Sequence, residues 1–194
     1  MMQIKKGVPL IDQHDKNGMW GGKFGGSFVP ETLKKPIEDL TNLFEKLRND
    51  KSFVKERDYY FENYVGSPSP FIFLDNLTDH LGGAQIWAKV VSENPGTAHK
   101  VYACIVHCLI AKRAGKKYVC GDTGAGMAGK TLAMVAKKFG LKCKIFMGSK
   151  DIKRQKLNVE VMKKHGAEVI PVTTGSQTLV DAVSECMRYW VSNC

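Results

Sequence analysis

The residues from 121 to 140, GDTGAGMAGKTLAMVAKKFG, fit two nucleotide-binding patterns at once. The run from Gly124 to Thr131 fits a phosphate-binding loop, in which backbone N–H groups surround the phosphates while a lysine and a hydroxyl reach the terminal phosphate and magnesium. The glycines at 124, 126 and 129 also fit the turn that binds dinucleotides. The two patterns demand different chemistry from the same loop.

Each nucleotide pattern lacks the acidic residue that it needs elsewhere in the chain. A magnesium site calls for an acid at the end of a neighbouring strand, and the run CKIFMGSKD reaches Asp151 only after an intervening loop. A dinucleotide site calls for an acid about 20 residues on, where the chain reads IFMGS. We therefore expect no nucleotide binding. The simplest reading of the glycines is that they let a helix approach the sheet.

A third interpretation rests on five segments taken together. They are GGKFGGSFVPETL (21–33), AHK (98–100), TGAG (123–126), FMGSKDIKRQKLNV (146–159) and KKHGAEVIPVTTGSQTL (163–179). In this order and spacing they closely resemble the tryptophan synthase beta-chain family. The resemblance runs in register from about Gly21 to Trp190, which is nearly the whole sequence.

The resemblance implies a fold-type-II pyridoxal phosphate enzyme that joins L-serine to indole by β-replacement. The family's Schiff-base lysine corresponds to Lys100, and the preceding His99 corresponds to a contact of the cofactor phosphate. A lysine can hold this cofactor when a depressed pKa frees its lone pair. Without the flanking match, a lysine at the start of a helix would be interpreted as a solvated surface residue.

The resemblance also assigns roles to the glycine loop. Asp122 corresponds to the family's glutamate, which gives and takes protons near the leaving hydroxyl and the indole nitrogen. Thr123, Gly124, Ala125 and Gly126 correspond to the loop that binds the substrate carboxylate. Under this interpretation the nucleotide patterns arise by chance.

Several polar positions of the family pattern differ in this chain. The family's Gln-His after the loop is Met127–Ala128, and the Asn two positions beyond the lysine is Tyr102. The Lys-Arg-Glu-Asp run is replaced by residues 89–92, KVVS, and Thr-Gly appears as Gly96–Thr97. Since these changes fall at the expected chemistry, we expect impaired activity.

The sequence also stops at Cys194, before the family's glycine-rich phosphate loop and the serine that faces the pyridine nitrogen. The chain is therefore expected to be a piece of a longer protein or a naturally truncated one. A longer chain would cover apolar surface that these residues leave exposed. We therefore expect a homodimer or a partner chain to cover that surface. The resemblance further implies a tryptophan synthase alpha chain as that partner.

A sequence pattern that occurs three times from residue 115 onward predicts the elements that position these residues. It consists of a cationic helix end, a glycine, an apolar run and a polar loop. Gly115, Gly140 and Gly166 stand where a glycine can end a helix in the left-handed conformation, behind basic residues that oppose the helix dipole. Apolar spacing predicts helices over 98–114, 125–139, 152–165 and 177–193. Strands alternating with helices predict an α/β fold whose parallel sheet has flanking helices and binds ligands at the carboxyl ends of its strands.

The residues before 98 follow other patterns. They predict amphipathic helices over 28–50 and 53–65, a rigid turn at 66–71, and a short helix, a two-glycine stop and a strand within 71–90. We divide the chain into an N-terminal extension (1–20), a helical segment with the first strand (21–97) and a core of three strand–loop–helix units (98–194). The half that binds the cofactor phosphate is not among these residues.

Composition and charge limit the kinds of partner that we expect for this chain. The formal net charge is +10, but the lysines are dispersed and no basic block alternates with aromatic residues, so we expect no nucleic-acid partner. The six cysteines have no zinc spacing and are expected to be reduced core thiols, with no metal. No run of 18 apolar residues and no apolar leader occur, so we expect no membrane contact and a cytoplasmic protein.

Three functions stay open on these grounds. The first is the β-replacement enzyme, impaired in this form. The second is a non-catalytic relative that acts as a binding or regulatory partner. The third is a phosphate-loop nucleotide binder.

Overall fold

The computed structural model describes residues 5–15, 18–26, 28–96 and 98–193, so Thr97 and Cys194, discussed above, lie outside it. The chain forms two compact units, Met1–Glu38 and Asp39–Cys194. In the first, strands β1 (Met19–Trp20) and β2 (Phe24–Gly25) pair antiparallel, and the Trp20 indole N–H donates to the Leu10 carbonyl at 2.9 Å.

The first two long helices are α1 (Glu31–Arg48) and α2 (Lys51–Tyr60), and a π-helical turn, Phe61–Val65, continues α2. Asp50 caps α2, because its Oδ1 accepts from the N–H groups of Ser52 at 2.7 Å and Phe53 at 3.4 Å. These bounds confirm the two predicted amphipathic helices.

A small antiparallel sheet follows. Strand β3 (Phe71–Phe73) pairs with β4 (Trp87–Lys89), and helix α3 (Asp75–Leu81) connects them. The short helix and the later strand were predicted, whereas β3 was missed because its three residues run into the apolar residues of α3. Strand β4 does not join the parallel sheet.

The parallel sheet contains β5 (Tyr118–Thr123), β6 (Lys142–Gly148) and β7 (Glu168–Val172), in that spatial order. Its helices are α4 (Lys100–Arg113), α5 (Met127–Lys138), α6 (Ser149–Arg154), α7 (Lys156–Lys164) and α8 (Leu179–Asn193). The α/β class and the parallel sheet with flanking helices are confirmed. The single helix predicted over 152–165 is wrong: it is two helices, since Gln155 (φ −113°, ψ 38°) interrupts it.

The three predicted helix stops are also confirmed. Gly115, Gly140 and Gly166 have φ of 69°, 70° and 83°. In each case the next N–H bonds back to a carbonyl of the last helical turn, as in Leu141 N–H to the Ala136 oxygen at 2.9 Å. These glycines lie at the amino edge of the sheet, where its strands begin. The opposite end, where the strands finish, is the carboxyl edge.

The sheet has two unlike faces. On the α5 face, Ile145 and Met147 of β6 are completely buried in the main core, which α4, α5 and α7 supply. On the α8 face, Phe146 packs with Val172 and with residues of α8 in a smaller cluster. Within the described ranges, no helix is long and apolar enough to cross a membrane.

Candidate functional site

Lys100 is the first residue of α4, and His99 precedes it at the N-cap position. His99 is exposed and Lys100 is half-buried. Neither side chain makes a hydrogen bond or ion pair with the residues that the structure describes. One turn along, burial raises the pKa of the Cys104 thiol to about 11, although the nearby Lys100 charge opposes this rise. The candidate amine is therefore accessible and has no described carboxylate partner.

The glycine loop after β5 is held from both sides. The buried Thr123 accepts a hydrogen bond at its Oγ1 from the Gly126 N–H at 3.1 Å, and Gly126 turns the chain into α5 with φ 87°. From α7, the Asn158 amide donates to the Ala125 carbonyl at 2.8 Å. The loop is thus a preformed turn that begins α5, and the amino end of a helix favours an anion.

The start of α4 lies level with this loop. Only four residues separate the end of α4 from β5, so the helix runs back along the strand and its first residue points towards the carboxyl edge. Fourteen helical residues span about 21 Å and six strand residues about 20 Å. A Cβ built on Gly96, ahead of α4, would lie 2.9 Å from Thr131 Oγ1 of α5. Lys100 and Thr123 therefore share the carboxyl edge.

Asp122 faces away from Thr123. The two residues alternate along β5, and a Cβ built on Gly129 of α5 would lie 2.9 Å from Thr123 Cγ2, which puts Thr123 on the α5 face. Asp122 pairs in register with Phe146, on the α8 face. A hydrogen bond with Cys120 and burial raise the pKa of Cys186 on α8, and the Asp122 charge raises it further. The structure thus brings Thr123 and Lys100 to one edge but turns the Asp122 carboxylate towards α8.

Tyr102, which departs from the family pattern, and Lys89, which keeps the lysine of the altered run at 89–92, both have structural partners. The Tyr102 hydroxyl lies 2.7 Å from the Ser67 hydroxyl, and its ring packs edge to face on Phe61 at 5.1 Å. The Lys89 ammonium donates to the Ser69 carbonyl. Both side chains therefore hold the turn at 66–71.

Two polar groups escaped the sequence analysis. Asn158 lies inside a motif quoted for the resemblance, yet nothing in its spacing signals that its side chain holds the glycine loop from another helix. The Ser69 hydroxyl is buried and has no hydrogen-bond partner in the described part of the chain. Its position in a Ser-Pro turn offered no signal of burial.

The nucleotide interpretations gain no support from the loop. Thr131 is fully buried and its hydroxyl donates to the Met127 carbonyl at 2.9 Å, so it is not free to bind magnesium. Asp151 lies near Gly124 but forms an ion pair with Arg154 at 3.6 Å. Gly129 is explained by packing, since a Cβ there would lie 2.6 Å from Met162 Sδ. Among the described residues, no three His, Cys, Asp or Glu side chains are grouped to hold a metal ion.

Comparison with known proteins gives two findings. The model of the family described as pyridoxal-phosphate dependent enzymes matches residues 63–191. The tryptophan synthase beta chain of Pseudomonas syringae pv. tomato is 47% identical over 179 residues, which cover 92% of this chain and 44% of that relative. The resemblance inferred from the motifs is confirmed, and the chain spans less than half of the relative's length.

Proposed function

Because this chain belongs to the family of pyridoxal-phosphate-dependent enzymes, we propose that its residues serve the β-replacement of L-serine with indole to give L-tryptophan. The observation that carries the proposal is the 47% identity to a tryptophan synthase beta chain over 92% of this chain. Since only 44% of that relative is covered, the reaction, its substrates and its partners all belong to the proposal.

The residues present fit the aldehyde end of pyridoxal phosphate. Capturing an aldehyde requires an accessible primary amine, and Lys100 offers one at the half-buried start of α4, without an ion-pair partner among the described residues. His99 beside it is exposed and is proposed to contact the cofactor phosphate. When bound, the cofactor supplies an electron sink for the substrate carbanion.

The glycine loop is proposed to bind the serine carboxylate. Thr123 to Gly126 lead into a twelve-residue helix, whose first N–H groups and dipole favour a negative charge. The bonds from Gly126 to Thr123 and from Asn158 to Ala125 fix the loop before any substrate arrives. Because the loop is already ordered, orienting the bound serine requires no further loss of loop entropy.

Asp122 is proposed as the group that exchanges protons with the leaving hydroxyl and the indole nitrogen, and as the weakest part of the site. It is one methylene shorter than the glutamate that the resemblance places there, and its carboxylate faces α8 rather than the edge shared by Thr123 and Lys100. A misplacement of about 1 Å alone can cost about 100-fold in rate. Met127 and Ala128 add no side-chain hydrogen-bonding group of the kind that Gln-His would supply. We propose that the activity of this form is impaired.

A partner is proposed for the exposed aromatic surface of β3 and β4. Phe71 and Trp87 stack at 5.1 Å and are 62% and 47% exposed. Exposed apolar clusters of this kind mark interaction surfaces. We propose a homodimer and an alpha chain as partners, in the cytoplasm.

The proposal is tested by a chimera that joins these residues to the rest of the Pseudomonas relative. With pyridoxal phosphate, serine and indole, it should form tryptophan on the order of 10² more slowly than the relative. Lys100→Ala should abolish turnover, whereas Lys116→Ala, an exposed lysine at the amino edge, should leave it unchanged. The 194-residue chain alone should form no measurable tryptophan.

A repaired chimera carrying Asp122→Glu, Met127→Gln and Ala128→His should recover much of the lost rate. If the repaired, folded chimera stays inactive, the non-catalytic binding relative becomes the better interpretation. Turnover by the unmodified 194-residue chain that Lys100→Ala abolishes would instead contradict the proposed impairment.

A further inference from the structure

Two thiols face each other across the α8 face of the sheet. Cys120 of β5 pairs in register with Lys144, whose ammonium lies 5.0 Å from the ring of Tyr189 on α8. Cys186 lies three residues before Tyr189 and therefore on the same side of that helix. Cys186 is buried in the Phe146 cluster, and Cys120 packs against that cluster. Each thiol is also a side-chain neighbour of the other, because interaction with the partner thiol is the largest influence on the pKa of each.

The pair differs chemically from the other described thiols. Burial raises the pKa of Cys104 to about 11 and of Cys108 and Cys143 to about 12, which keeps these core thiols protonated and inert. The hydrogen bond from Cys186 lowers the pKa of Cys120, which is also only half-buried. Cys120 therefore combines a lowered pKa, partial access and an adjacent second thiol, the features of a redox-sensitive cysteine.

We propose that Cys120 and Cys186 form a reversible disulfide when the protein meets hydrogen peroxide. The Cys120 thiolate attacks one peroxide oxygen, the O–O bond breaks, and with one proton the products are a sulfenic acid on Cys120 and water. The Cys186 sulfur then attacks the Cys120 sulfur, its thiol proton leaves with the hydroxyl as a second water, and the S–S bond forms. Two thiols are oxidised by two electrons, and one peroxide is reduced to two waters.

The bridge would join β5 to α8 beside the carboxyl edge. Cys120 is two residues from Asp122 and on the same face of β5, and Asp122 contributes to the electrostatics of both thiols. An S–S bond of about 2.05 Å would fasten the two elements to each other. The oxidation requires no cofactor, so the proposal is independent of the function proposed above.

The test uses the purified 194-residue chain, reduced, freed of reductant and exposed to hydrogen peroxide near equimolar amounts. After free thiols are blocked with N-ethylmaleimide, the protein is digested without reduction. The peptides that contain Cys120 and Cys186 should be recovered joined by a disulfide, in an amount at least about tenfold above any other intramolecular pair. Dithiothreitol should remove the link. Cys186→Ser should leave Cys120 as a sulfenic acid that dimedone traps, while the matched control Cys143→Ser should keep the bridge.

Three results would overturn the proposal. One is oxidation of Cys120 in the wild-type protein without a link to Cys186. Another is a set of mixed disulfides in which the 120–186 pair is not preferred. The last is a bridge that appears only after guanidinium unfolds the protein. Because all three are measured on the wild-type chain, they hold even if a serine variant does not fold.

Discussion

The amino and carboxyl edges of the parallel sheet both carry glycines, but for different physical reasons. At the amino edge, a Cβ built on Gly115, Gly140 or Gly166 would meet nothing within 4 Å, and a positive φ alone explains the glycine. At the carboxyl edge, Gly148 has φ −59°, which any residue adopts, yet a Cβ there would overlap the Gln177 carbonyl. The amino edge is built by local helix endings, whereas close packing between distant segments builds the carboxyl edge, where we propose the chemistry.

The largest effect that this comparison predicts is at Gly148. Gly148→Ala would put a methyl group into the backbone of the loop before α8, 2.6 Å from Thr178 Cα, so the loop must move. We expect the free energy of unfolding to fall by about 3 kcal/mol, measured by urea denaturation. Gly83→Ala is the control, since its nearest atom would be 3.9 Å away, and should change stability by less than about 0.5 kcal/mol. Equal effects of the two variants would refute the close-packing account.

An intermediate effect is expected at the amino edge. Gly140→Ala should cost about 1–2 kcal/mol, because only the left-handed backbone penalises the new side chain. Gly140→Asn should cost less, since asparagine tolerates this conformation. The same urea titration checks both variants. A loss at Gly140→Asn as large as at Gly148→Ala would erase the difference between the edges.

The smallest effect concerns the hydrogen bond from α7 to the glycine loop. Asn158→Ala should lower stability by about 1 kcal/mol, since the Ala125 carbonyl loses its partner. Asn63 provides a matched control, because its amide also donates to a backbone carbonyl, but that of Tyr59, only four residues away in the chain. Asn63→Ala should cost less than about 0.5 kcal/mol, and thermal unfolding compares the two. If the two variants are alike, Asn158 does not hold the loop.

The same contrast explains what the sequence could predict. The helix stops at Gly115, Gly140 and Gly166 were predicted because a helix end and its glycine are neighbours in the chain. The alternation of helices with apolar runs likewise predicted the parallel sheet. Strand β3 was missed because three residues are too few to show the alternation of apolar and polar residues that distinguishes a strand from the helix that follows.

The candidate site was only partly predictable. The motifs proposed Lys100 and the loop from Thr123 to Gly126 as candidates. The support from Asn158 is a tertiary contact across 33 residues, with no local pattern. The direction of the Asp122 side chain depends on which face of β5 meets α8. The contact between Cys120 and Cys186 has the same origin, so the spacing of the cysteines gave no sign of it.

The most direct measurement is borohydride trapping of pyridoxal phosphate on the 194-residue chain, followed by peptide mapping. The proposal that Lys100 holds the cofactor predicts low total labelling that is concentrated on Lys100. Lys100→Ala should remove this label, and Lys116→Ala should keep it. Label spread over many lysines, with none preferred at Lys100, would contradict the proposed cofactor site.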